Sequence, residues 1–164
     1  MRFGEEAFWW GEKGTRPGPH EGIDLCSYLD TAGHCRFLES GAMIPPLFHG
    51  TVVDIFPDFL GQSLLFAHDQ MNDGWQLYSV IAHVVVEPGV ALGQRYSDRS
   101  IVARVAPLKR PGVPTHLHIS TLAISELPPR PLSWPVIVRS EMICFLDPFL
   151  YIGGLNHNLL VLPE

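Results

Sequence analysis

Hydrophobic residues along the chain fall in short, β-branched runs bounded by Gly and Pro. Thr51 to Phe56 lies between Gly50 and Pro57 and predicts a strand. Ser63 to Ala67 predicts a second, and Leu77 to Val86, rich in Val and stopped by Pro88-Gly89, a longer third. The Asp73-Gly74 pair favours a hairpin turn within a connection longer than two residues. Val90 to Leu92, Ile101 to Val105 and Leu117 to Ile124 complete a set of at least six short strands. Residues 20–28 read as a short extended segment. Residues 1–19 read as irregular, because Arg16-Pro17-Gly18-Pro19 forbids a regular helix before His20; within them, 1–15 form an N-terminal extension. The Pro-rich stretch 125–140 predicts a surface loop, and Glu141 to Leu150 a short helix or strand ending at Asp147-Pro148. No strand–long helix–strand rhythm occurs, which disfavours a parallel α/β sheet. The expected fold is mainly β and antiparallel, a single domain over residues 1–164.

Composition narrows the partners. A chain of 164 residues can bury a full core without staples. With 46% hydrophobic and 17% charged residues it is not a highly charged disordered chain. The 15 Gly and 15 Pro disfavour a helical bundle. A net charge of -6 without a basic run makes nucleic acid or an anionic membrane surface a poor partner. No segment reaches the roughly 18 apolar residues of a membrane span. Met1 to Trp10 lacks an apolar core and carries Glu5 and Glu6, so it does not read as a signal peptide. Cys26, Cys35 and Cys144 cannot all pair within one chain; Cys26 and Cys35 either close a short loop or stay free. A zinc knuckle using them with His20 and His34 would need a spacing that matches no standard finger.

The 8 histidines carry the candidate chemistry. In a strand, residues i and i+2 share a face. His116 and His118 therefore point one way, and Leu117 and Ile119 point into a core. Paired imidazoles on one face suit a metal or catalytic wall, and equally a polar outer face. His20-Glu21-Gly22-Ile23-Asp24 sets an imidazole and a carboxylate four apart, both zinc ligand types. On a helix they would share a face, with Glu21 as base; Gly22 and the upstream prolines argue instead for a bend that turns both inward. His83, among β-branched residues, reads by itself as a half-buried strand residue. His34, His49, His68 and His157 have no partner at useful spacing and read as surface or structural.

Taken in order, these islands resemble the LytM/lysostaphin-type zinc endopeptidases, the M23 peptidase family of cell-wall hydrolases. His20-Glu21-Gly22-Ile23-Asp24 looks like that family's His-x-Gly-x-Asp box, and Gly50-Thr51-Val52-Val53 like its strand opening. Leu77 to His83 is similar to the strand that delivers a catalytic His. Val90 to Gln94 resembles the hairpin after it, Pro114 to Ile119 the His-Leu-His signature, and Asp147 to Leu150 the closing Asp-Pro box. The chain departs from the pattern at Ile81 and Val84, in the Arg/Lys-bearing segment 95–112, and in residues 125–140, which look like an insertion. Those two segments are expected to flank the groove and set specificity.

The resemblance implies an antiparallel sheet with an open groove, and a zinc ion held by His20, Asp24 and His118. It leaves His83 and His116 unliganded, as the acid/base and oxyanion partners, with their roles unassigned. The implied substrate is a peptide bond in peptidoglycan stems or cross-bridges. The implied compartment is periplasmic or extracellular. A non-catalytic relative that docks on cell wall or protein is the competing class, but it usually lacks one or more of the five polar positions, and all five are present here.

Overall fold

The computed structural model describes residues 1–10, 14–72, 74–107 and 111–152. The chain runs through β1 (Ile23–Leu25), β2 (Ser27–Leu29), β3 (Cys35–Phe37), β4 (Met43–Ile44), β5 (Gly50–Pro57), β6 (Gln62–Asn72), β7 (Trp75–Val86), β8 (Arg95–Tyr96), β9 (Ala103–Val105), β10 (Leu117–Ile124), α1 (Trp134–Arg139), β11 (Ile143–Leu146) and α2 (Phe149–Ile152). One antiparallel sheet has the order β1-β10-β7-β6-β5-β8, with β11 added to β10 and the β4–β9 pair added to β7. β2 and β3 form a separate hairpin.

The central strands are buried on both faces, which is why they read as apolar runs and not as strict alternation. Leu64, Phe66 and Ile81 pack into one core with Val52, Leu117 and Ile119. Their sequence neighbours Leu65, Val80 and Ala82 pack into the other, with Phe56, Leu122 and Ile137. Burying each large side chain contributes about 1.5–3 kcal/mol. The expectation that Leu117 and Ile119 face a core therefore holds.

Several elements differ from the sequence reading. β6 and β7 pair out to Asn72 and Trp75, a shorter hairpin than expected. Val90 to Leu92 is not a strand. Gly89 and Gly93 both adopt positive φ (93° and 77°), and the chain turns between them before β8 joins β5. The Ile101 to Val105 strand is confined to β9. Residues 125–140 contain α1, because Pro135 sits in the first turn, where its fixed φ suits a helix and its missing N–H is not needed. Glu141 to Leu150 holds a strand, β11, and the start of α2.

The N-terminal residues are tied down although little of them is regular. Ala7 and Thr15 form an isolated antiparallel bridge, and Gly4 N–H donates to the His20 carbonyl at 2.9 Å. Cys26, Cys35 and Cys144 are free thiols, so the Cys26–Cys35 bridge does not form. His68 lies buried; its Nδ1 donates to the His49 carbonyl at 3.0 Å and its Nε2 accepts from the Ser79 hydroxyl at 2.8 Å. Both ring nitrogens are satisfied, in keeping with a structural role. His34 and His49 are exposed, and His157 lies outside the described residues.

Candidate metal centre and its surroundings

Register brings the first two donors together. Asp24 on β1 lies directly opposite His118 on β10, and His118 opposite Ala82 on β7. Opposed residues of an antiparallel pair share a face, so the carboxylate and the imidazole meet. His20 precedes β1 and is held by its backbone N–H, which donates to the Glu5 carbonyl at 2.9 Å. Residues 23–25 are a strand, which removes the helical reading with Glu21 as base; the Glu21 carboxylate instead accepts from Arg16 Nη2 at 2.6 Å.

Gly22 permits this approach for a different reason from the expected bend. Its φ lies outside the left-handed region, but a Cβ there would stand 2.2 Å from the Ile119 carbonyl oxygen and 2.9 Å from His118 Nε2. Gly22→Ala should therefore push β1 from β10. We expect a destabilisation of about 1–3 kcal/mol and a loss of roughly 10–100-fold in the affinity for any ion held beside it. Thermal melting and competition with a chromophoric chelator measure the two.

Three donor atoms converge. His20 Nε2 lies 3.1 Å from His118 Nδ1 and 3.2 Å from Asp24 Oδ1, and His118 Nδ1 lies 2.9 Å from the same oxygen. Among the described residues, His20, Asp24 and His118 form a three-donor group that could hold a metal ion, and all three are buried. With bonds of about 2.0–2.2 Å, the edge of a tetrahedral zinc site is about 3.3–3.6 Å, so the triangle would open by a few tenths of an ångström.

The outer bonds fit the same chemistry. His20 Nδ1 lies 3.0 Å from the Arg2 carbonyl, which can only accept, so the proton is on Nδ1 and Nε2 keeps its lone pair. His118 Nε2 reaches Ser120 Oγ at 2.8 Å. Trp9 Nε1 donates to Asp24 Oδ2 at 2.7 Å, leaving Oδ1 to face the histidines. Burial pushes the Asp24 carboxyl up, but the adjacent His118 and His20 rings outweigh it and hold the group well below the usual carboxylate range. Burial pushes His118 down, favouring the neutral ring. An anionic oxygen and imidazole nitrogens crowded this closely form a donor set suited to a cation.

His83 and His116 stand beside this triangle without belonging to it. Their ring centroids are 4.8 Å apart, and His83 is 5.8 Å from His118. His116 Nδ1 donates to the Pro114 carbonyl at 2.8 Å; its Nε2 is buried and has no hydrogen-bond partner among the described residues. Burial pushes the His116 pKa down. Trp10 stacks on this ring at 5.6 Å. His83 sits in a β-bulge: between Leu64↔Ile81 and Gln62↔Val84, β7 spends one more residue than β6. That residue takes the left-handed conformation, φ 65°, uncommon for a non-glycine.

A cavity of about 640 Å³ opens over the group, walled by Trp10, Phe59, His83, His118 and Trp134. Residues 125–140 border it through Ser133, Trp134 and Pro135. None of the described residues of 95–112 lines it, although that segment was expected to flank the groove; Val113, just beyond, does.

Sequence reasoning missed several contributors. Ser120 was within reach of the period-2 rule, being two residues beyond His118 on the same face. Trp9, Trp10 and Asp58 gave no signal for their partners, which lie far along the chain.

No family model matches the chain, and no curated protein matches it in sequence. Solved structures do. LytU superposes with a TM-score of 0.58 at 22% identity, over 95% of this chain and 84% of that one. The catalytic domain of the antimicrobial peptidase lysostaphin from Staphylococcus simulans gives 0.57 at 15% identity, over 93% and 90%. The chain therefore has the fold of LytU and of the lysostaphin catalytic domain, the fold that its sequence resemblance implied.

Proposed function

We propose that the protein is a zinc-dependent endopeptidase acting on peptide bonds of peptidoglycan stems or cross-bridges. The observation that carries this reading is the buried triangle of His20 Nε2, Asp24 Oδ1 and His118 Nδ1 on a cavity that His83 also lines, with His116 packed against His83. The lysostaphin-like fold and the named peptidase among the similar structures support it.

In this scheme His20, Asp24 and His118 would hold the ion. Zinc there would lower the pKa of a bound water to about 7 and polarise the scissile carbonyl. His83 and His116 supply what the ligands cannot, moving a proton and stabilising developing charge. The aromatic walls bind and orient the peptide and exclude water.

Incubation with peptidoglycan fragments, before and after chelation, tests this. Hydrolysis should vanish on chelation and return with zinc. Full hydrolysis by metal-stripped protein would overturn the zinc role. Stoichiometric zinc without any cleavage would favour a binding module.

A further inference from the structure

Asp58, in the turn between β5 and β6, has a completely buried side chain and accepts five hydrogen bonds. Leu60 N–H and Gly61 N–H, at 2.8 and 2.7 Å, close its own turn, and Ser63 Oγ donates at 2.9 Å. Turn capping accounts for these. It does not account for the other two, which come from His83, 25 residues on: the backbone N–H at 2.9 Å to Oδ2 and ring Nδ1 at 3.1 Å to Oδ1. One carboxylate thus grips both the backbone and the ring of the bulged residue.

The grip has a chemical consequence. A carboxylate only accepts, so the His83 proton is on Nδ1, and the Nε2 lone pair is left at the far end of the ring. His116 has the same tautomer, but its Nδ1 faces a neutral carbonyl, that of Pro114. Behind His83 stands an anion. A positive charge arising on His83 is compensated by a carboxylate bonded to the ring itself; one arising on His116 meets only a carbonyl at Nδ1.

We propose that Asp58 is the positioning residue of His83, fixing its tautomer and its bulged backbone, and that this makes His83, not His116, the ring that carries the proton. The assignment rests on the peptidase reading above. As the water oxygen bonds to the carbonyl carbon, the water proton moves to His83 Nε2. As the C–N bond breaks, the same proton passes to the leaving amine nitrogen. The Nδ1–H bond to Asp58 persists throughout, and His83 ends neutral, as it began.

The test is Asp58→Asn in the zinc-loaded protein, with nitrogen-15 NMR of the histidine rings and steady-state kinetics. The His83 signals are identified by their loss in His83→Ala. In the wild type, His83 should show a protonated Nδ1 and an unprotonated Nε2. In Asp58→Asn that pattern should be lost, with zinc retained and kcat reduced by about 10²–10⁴-fold while KM changes little. An Nε2-protonated His83 in the wild type would overturn the proposal even where the variant fails to fold. So would wild-type kcat in a folded Asp58→Asn. A wild type that binds zinc but cleaves nothing overturns the peptidase reading and His83's role with it; the ring nitrogens report the Asp58–His83 bond separately.

Discussion

His118→Ala is expected to lose bound zinc and peptide hydrolysis together. His118 supplies one corner of the donor triangle through Nδ1, and its ring is fixed at the other end by Ser120 Oγ, 2.8 Å from Nε2. Its removal leaves His20 and Asp24, too few ligands for a closed three-donor set. The affinity loss should exceed the roughly 10–100-fold of an outer-bond change. Asp24→Ala should behave alike, since Asp24 contributes the anionic donor. Elemental analysis of each variant, beside melting curves to establish folding, reads the result. Stoichiometric zinc in a folded His118→Ala would end this ligand assignment.

The central strands were legible because local pattern and tertiary burial agree there. Thr51 to Phe56, Ser63 to Ala67, Leu77 to Val86 and Leu117 to Ile124 all lie in sheet strands, since each is apolar enough to fill both cores. Val90 to Leu92 failed although its residues suit a strand. Two flanking glycines with positive φ turn the chain there, and no strand partner takes it up. Trp134 to Arg139 was hidden by prolines that read as loop but are compatible with a helix start.

The site was legible only in part, for a related reason. His20, Asp24 and the His-x-His pair stand at readable spacings, and their grouping was supplied by the family resemblance; the register of β1 on β10 that joins them was not legible. Asp58 reads locally as a turn residue before Gly61. Its grip on His83 depends on the extra residue in β7, which no propensity marks. Trp9 lies in a segment read as irregular, yet its indole takes one oxygen of Asp24.

His116→Ala, by contrast, should keep zinc and lose rate. His116 precedes β10, and it is not among the three converging donors. Its Nδ1 is committed to the Pro114 carbonyl, and its Nε2 is buried without a partner among the described residues, 4.8 Å being the distance between its ring and that of His83. An unpaired buried nitrogen is costly to keep, on the order of 1–3 kcal/mol, so removing it need not destabilise the fold. It does remove one of the two unliganded imidazoles beside the triangle, which corresponds to a loss of about 10²–10⁴-fold in kcat. His83→Ala should fall within the same range and further down it, because that ring has an anion behind it and carries the proton. Bound zinc and hydrolysis measured on His83→Ala, His116→Ala and His118→Ala separate the roles. Zinc lost from His116→Ala but kept in His118→Ala would show that the two histidines of the strand had been assigned in reverse.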